Sequence, residues 1–439
     1  MRKRVMKITI RKWSEYSDED KHNMFQRSET DISEVSASVA DIIEQVRRRG
    51  DEALIEFSRR FDKADLSATP LQVQPEEFAR AEASLSAELK RSIEFAINTT
   101  WNFHLAQKPE SISMKELHPG LIAGERSLPI DSAGLYVPRG RGSFPSMLYM
   151  LAVPARIAGV PQLQITTPPN PDGSVDAACL YAAGYIGVEK VFRVGGAHAI
   201  AALAYGTASI DPVLKVVGPG SSYVTAAKRL LSSRIDAGLP AGPSESMVVA
   251  DEQADAWNVA LDLMVEAEHG SDSCAILLTD SEQLAEQVQA HVAEIGRDVP
   301  EPRARFVQDV FDRYGGIILT ESIDEAAEIV NRFAPEHLLL NTREPFAAMH
   351  KIRNAGEILL GRHLPFSAAN YTTGANAVLP TGGWAKSYSP VSVRDFMKFS
   401  SVVYSEKSAY QRLKEHVVRI ADYEGFITHG NALTRRREE

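Results

Sequence analysis

Glu266 and His269 stand three residues apart in EAEHG, at the end of an apolar helical pattern. On an α-helix, positions i and i+3 share a face, so this carboxylate and this imidazole aim at one point while Glu268 aims elsewhere. That is half of a metal site, although the spacing equally suits a solvated ion pair at a helix end. Glu336 and His337, in APEHLLL, are adjacent and cannot share a helix face. Placed before an apolar run in an α/β protein, they belong at the rim of a sheet, where acid/base work is more natural than metal ligation; a surface loop pair is the plain alternative. Glu424 and His429, in EGFITHG, form a third such group. Carboxylates and imidazoles drawn from distant segments are what a zinc site in an α/β enzyme uses.

The elements that must position these groups are legible in the hydrophobic pattern. Ile32, Val35, Val39, Ile42, Ile43 and Val46 recur at three and four, with Asp31 and Glu34 spaced as a capping box, so a helix is expected up to Gly50. Ala53, Leu54, Phe57 and Phe61 continue as a second amphipathic helix. QLQITTPP, KVFRVG and VLKVVG are short β-branched runs closed by Gly or Pro, and Ala-rich helical stretches lie between them. This β-α-β-α-β order predicts a parallel sheet with helices on both faces. MVVAD, CAILLTD, GIILT and HLLLN alternate with helical segments in the same way, which makes a second α/β unit. GLPAGPSES, from Gly238 to Ser246, is the clearest punctuation between the two, and PPNPDGS is a loop of the same kind.

Composition narrows the partners. The chain has 439 residues, more than one ordinary core, and its 48 basic against 58 acidic residues give a net charge of −10. That balance argues against a general nucleic-acid or anionic-membrane binder and for a small-molecule ligand. The basic start, MRKRVMKITIRKW, is not followed by an apolar stretch of signal-peptide length, so a cytoplasmic location is expected. Cys179 and Cys274 signal neither a disulfide framework nor a Cys-based zinc site. The RRREE tail reads as a solvated charge run.

Two glycine turns, VGGAHA and VGPGSSYV, each follow a strand and open a helix, where backbone N–H groups hold phosphates. Neither spells the usual dinucleotide fingerprint, and tight strand-to-helix packing explains the glycines as well.

Read together, AGLYVPRGRGSFPSMLYMLAVPARIAGV, VGPGSSYVTAAKRLL, GLPAGPSES, EAEHG, APEHL, LPTGGWAKSYSPVSVRDFMK and EGFITHGNA resemble the histidinol dehydrogenases, in order and spacing, across nearly the whole chain. The resemblance implies two Rossmann-like α/β lobes with parallel sheets and small helical pieces at both ends. Residues 1–30 would be an N-terminal arm, 31–135 with 244–391 a first lobe carrying most of the active site, 136–243 an NAD-binding lobe, and 392–439 a helical segment exchanged in a homodimer. It also implies oxidation of L-histidinol through the aldehyde to L-histidine with two equivalents of NAD, and one zinc ion per subunit that holds the substrate. By the same resemblance the metal positions are Glu266, His269, Asn370 and His429. Glu336 would activate water and His337 would transfer protons. Ser146, Ser244 and Glu424 would meet substrate together with the metal and acid/base residues, Glu424 reaching across the dimer. Tyr136, His198 and Ser221 would meet the cofactor.

The chain departs from the family pattern at telling places. Glu266 stands where Gln is usual and Asn370 where Asp is usual, so one carboxylate, one carboxamide and two imidazoles remain while the anionic ligand changes sides. Ala377 replaces a substrate-contacting His, and His198 and Ser221 replace Gln and Asn at cofactor positions. Three readings follow: L-histidinol oxidation, the same chemistry on another amino alcohol, polyol or sulfonated diol, and a metal-binding homologue without turnover.

Overall fold

The computed structural model describes residues 6–27, 32–139 and 142–437. Asp31, half of the expected capping box, lies outside them; the helix itself runs Ser33–Arg49. In chain order the strands are β1 (Ile10–Lys12), β2 (Ile112–His118), β3 (Leu121–Pro129), β4 (Ser132–Tyr136), β5 (Gln162–Thr166), β6 (Val191–Phe192) and β7 (Lys215–Val217). They continue as β8 (Glu245–Ala250), β9 (Cys274–Thr279), β10 (Gly315–Leu319), β11 (His337–Asn341), β12 (Glu357–Leu360) and β13 (Met397–Ser405). The chain divides into two units, Met1–Gln107 with Asp131–Phe396, and Lys108–Ile130 with Met397–Glu439.

The first unit holds two parallel sheets, as the alternating pattern predicts. One has the order β1-β10-β9-β8-β11-β12 and the other β6-β5-β4-β7. Every residue of β8, β9 and β11 is buried, which is why these runs read as continuous apolar stretches. Successive side chains leave a strand on opposite faces, and this parity sorts the core. Val248, Ala275, Leu277 and Leu339 join the helix Ala256–Ala267 and Phe366 on one face. Met247, Ile276, Leu338 and Leu340 join Trp13 and Phe333 on the other. His337 and Glu357 therefore share the parity of the first face, and Glu245 that of the second.

Two expected boundaries shift, and two segments gain a strand. The helices from Ile32 to Leu71 pack into the core of the β4–β7 sheet, not of the first lobe, and the second lobe begins with β4, ahead of residue 136. Periodicity shows which face of a helix is buried but not against which sheet. The arm 1–30 adds β1 to the edge of the larger sheet, pairing Ile10 with Ile317, and packs Trp13 on its core. The terminal segment 392–439 is more than helical, because β13 lies antiparallel to β3 from Met397↔Pro129 to Ser405↔Leu121.

The second unit is this three-stranded sheet, β13-β3-β2, with helices Lys407–Tyr423 and Ile427–Thr434. It leaves Ile112, Leu117, Val403, Ile420, Tyr423 and Ile427 exposed. Among the described residues, no helix is long and apolar enough to cross a membrane.

Candidate active site

The amino edge of the larger sheet gathers the titratable groups. His337 opens β11 and is paired in register with Glu357 on β12, and its Nδ1 lies 3.0 Å from Glu357 Oε2. The pairing continues upstream, where Glu357 N–H donates to the Glu336 carbonyl at 2.9 Å. A Cβ on Gly356 would stand 2.5 Å from that carbonyl oxygen, so the close approach requires a glycine. Glu336 is buried too. Its Oε2 accepts the backbone N–H of Glu245 at 2.9 Å, and its Oε1 lies 3.9 Å from His337 Nε2. Burial, with the charges of Glu266 and Glu245 nearby, pushes the Glu336 carboxyl up to about 8. Burial opposes the charged form of His337, yet the carboxylates of Glu266, Glu336 and Glu357 outweigh it and raise the imidazole to about 10.

Glu266 comes from the face that His337 shares. It lies on the helix Ala256–Ala267, which carries the core residues Val259, Leu263 and Met264. The carboxylate is 1 % exposed and bridges two partners: Oε2 lies 2.7 Å from His269 Nδ1, and Oε1 accepts from Asn370 Nδ2 at 2.7 Å. The i, i+3 geometry expected of EAEHG is thus formed. Burial pushes this carboxyl up, but the imidazoles of His337 and His269 more than reverse it, holding it near 2. His269, 38 % exposed, is raised by the same carboxylate against its own burial. Asn370 sits on the short helix Phe366–Tyr371, whose core residue Phe366 also meets the His337 ring edge-on at 5.9 Å.

The set Glu266, His269 and Asn370 is compatible with a divalent cation: one carboxylate, one imidazole and one carboxamide converge, and three buried carboxylates face His337. Among the described residues no group of three His, Cys, Asp or Glu makes a metal site, so the donor set reaches three only through the amide. Glu424 and His429 belong to the second unit and are exposed there, His429 with its ring 5.1 Å from Phe426.

Of the substrate positions, Ser244 immediately precedes Glu245, and its carbonyl accepts Cys274 N–H at 2.8 Å. Ser146 lies on the helix Pro145–Ala158, one turn before Met150. The Met150 carbonyl accepts from Asn376 Nδ2 at 2.6 Å, and Ala377 N–H points at its sulfur at 3.4 Å, so this helix walls the segment where Ala377 stands.

The cofactor positions lie at the carboxyl edge of the smaller sheet. Strand order reverses there between β4 and β7, a place where parallel sheets bind nucleotides. Tyr136 ends β4, and its hydroxyl accepts Gly196 N–H at 3.1 Å; burial pushes the phenol up to about 12. A Cβ on Gly218, where φ is +127, would fall 2.0 Å from the Tyr136 carbonyl oxygen, so backbone meets backbone at the reversal. Ser221 is the N-cap of helix Ser222–Leu230, with its hydroxyl making no cap hydrogen bond. His198 departs from its expected surroundings. Its ring is buried near Phe57 and Phe61, 3.9 Å from Asp62, and burial depresses it to about 3. A neutral ring embedded in this core is a packing residue of the helix Gly196–Tyr205.

Glu357, Glu245 and Arg27 complete the edge and were not singled out from the sequence. Glu245 was visible inside GPSES, but its role depends on β8 standing beside β11.

Comparison with known proteins places the chain in a family. The profile of the histidinol dehydrogenase family matches residues 25–437. The chain is similar to a histidinol dehydrogenase homolog of Rhizobium meliloti (strain 1021), 48 % identical over 437 residues covering 99 % of this chain and 96 % of that one. It is 46 % identical over 427 residues to a histidinol dehydrogenase of Synechocystis sp., covering 97 % and 98 % of the two chains. The crystal structure of histidinol dehydrogenase from Elizabethkingia anophelis superposes with a TM-score of 0.93 at 32 % identity, over 98 % of both chains.

Proposed function

Because the chain belongs to the histidinol dehydrogenase family, we propose that it is a zinc-dependent NAD oxidoreductase that takes a primary alcohol through the aldehyde to the carboxylate, with L-histidinol giving L-histidine. The observation that carries this reading is the buried Glu357–His337–Glu336 set beside the Glu266–His269–Asn370 donors.

The residues divide the work. His337, oriented at Nδ1 by Glu357, would in its neutral form take the alcohol proton at Nε2 as hydride leaves for NAD. In the second half, water adds to the aldehyde carbon as Glu336 takes its proton through Oε1, the oxygen not held by Glu245. His337 would return its proton to the aldehyde oxygen to complete the hydrate, which would then give a second hydride to NAD and one hydroxyl proton back to His337, leaving the carboxylic acid to ionise. Burial keeps bulk water from both groups. Glu266, His269, Asn370 and His429 would hold zinc, Asn370 through its carbonyl oxygen, and zinc when bound holds and orients the substrate. Tyr136 and Ser221 would support NAD at the β4/β7 edge. His429 and Glu424 would serve a partner's site in a homodimer, a reading supported by the exposed apolar side chains of the second unit.

A second reading keeps the chemistry and changes the alcohol to another amino alcohol, a polyol or a sulfonated diol. It is favoured by Ala377, whose methyl group offers the pocket no imidazole.

The test is NADH formed per molecule of L-histidinol by zinc-loaded protein. About two are expected for the four-electron reaction. No reduction with zinc and NAD both bound would reject L-histidinol and leave the second reading. Failure to bind either would reject the dehydrogenase.

A further inference from the structure

We propose that Arg27 is a positioning residue for the acid/base pair, acting through Glu245 on Glu336. The inference rests on Glu336 being the group that activates water.

Arg27 enters from the N-terminal segment, far from both in sequence, and its side chain is 3 % exposed. Its Nε lies 3.2 Å from Glu245 Oε1, and Nη2 donates to the carbonyls of Phe333 and Ala334. The guanidinium carbon stands 3.5 Å over the Phe333 ring. One planar group thus grips two approaches to the amino edge. The first is the start of β8, where Glu245 Oε1 also accepts Gly382 N–H and Glu245 N–H holds Glu336 Oε2, both at 2.9 Å. The second is the left-handed turn at Ala334, φ +55, two residues ahead of Glu336.

The backbone of Arg27 points the same way. At φ 58 and ψ −155 it occupies a region that is ordinarily glycine's. A strained arginine persists only where its surroundings over-determine it, and here they are the acceptors of its own side chain. Stability alone does not explain the arrangement, because a buried ion pair contributes little over apolar packing of the same volume. What the pair does supply is a fixed Glu245 main chain and a cation that keeps Glu245 from adding an uncompensated charge beside Glu336. A lysine has the charge but not the planar group that reaches Glu245 through one nitrogen and the two carbonyls through another.

The experiment is a double-mutant cycle in the full-length, zinc-loaded enzyme, combining Arg27→Gln with Glu336→Gln. L-histidinal supplied directly isolates the second oxidation, and hydrogen exchange at the Glu245 amide reads the positioning without any substrate. Arg27→Gln is expected to slow the second oxidation tenfold or more through kcat, with KM and zinc content held, and to speed exchange at Glu245. The double variant should be no slower than Glu336→Gln alone, and Arg27→Lys should recover part of the rate. If Arg27→Gln does not fold, Arg27→Lys carries the same cycle. Losses that multiply, or unchanged exchange at Glu245, would overturn the role of Arg27 while leaving Glu336 as the base. A Glu336→Gln enzyme at full rate would overturn both. Faster exchange in Arg27→Gln, beside a parent enzyme that never oxidises L-histidinal, would place the failure in the proposed substrate, with the positioning contact upheld.

Discussion

At the scale of single residues, the exchanged pair Glu266 and Asn370 is the most informative feature. The two side chains are hydrogen-bonded at 2.7 Å, so the carboxylate and the amide are partners across one point rather than independent substitutions. A carboxylate ligand is worth far more to zinc than a carboxamide, but the site needs only one of them at these two positions. Glu266→Gln is therefore expected to release zinc, and adding Asn370→Asp to restore it, as read by metal content after dialysis. A double variant that stays metal-free would show that the two positions do not compensate. Part of this site is visible in the sequence because Glu266 and His269 are three residues apart, at and just beyond the end of one helix. Glu357 and Glu245 are not visible in that way, since they stand 20 and 91 residues from their partners and are brought together only by strand register.

Elements, not residues, decide whether the donors meet. Asn370 rides on the six-residue helix Phe366–Tyr371, whose N-cap is Pro365 and which has no side-chain cap of its own there. Asp262 lies against this end: its buried carboxyl stands beside the Phe366 backbone N–H, and burial raises it to about 7. Asp262 precedes Glu266 by four residues and Phe366 precedes Asn370 by four, so one contact sets the register in which the second pair meets. Asp262→Leu should lower zinc affinity about ten- to a hundredfold, as loss of a supporting contact around a metal site does. Competition with a chelator measures it. Asp262→Asn, which keeps a carbonyl acceptor, should stay close to the parent, and equal affinity in the Leu variant would dismiss the register argument. The strands that build this edge were legible where all their residues are buried, as in β8, β9 and β11. Short edge strands such as β1 and β12, and the exposed β2, carry no such run and are stabilised by pairing that no local pattern announces.

For the whole molecule, the homodimer proposed above raises the question of which subunit's site His429 would serve. Among the described residues the second unit has three strands and two helices, and it leaves apolar side chains such as Tyr423 and Ile427 exposed, which a lone unit of that size does not favour. In the proposed homodimer this piece would be completed by another copy of the chain, in a closed two-fold arrangement where each subunit would lend its terminal unit to its partner. This has a consequence that neither unit alone can mimic. His337→Asn disables the proton-transfer residue and His429→Ala removes the lent ligand, so each variant by itself should be inactive. In a mixed dimer, however, one of the two sites combines the intact His337 of one subunit with the intact His429 of the other. Coexpressed variants that assort at random should regain about a quarter of the parent activity, since half of the dimers are mixed and each mixed dimer has one good site. Activity no higher than in the separate variants would mean that His429 serves its own subunit, and the exchanged dimer would be given up.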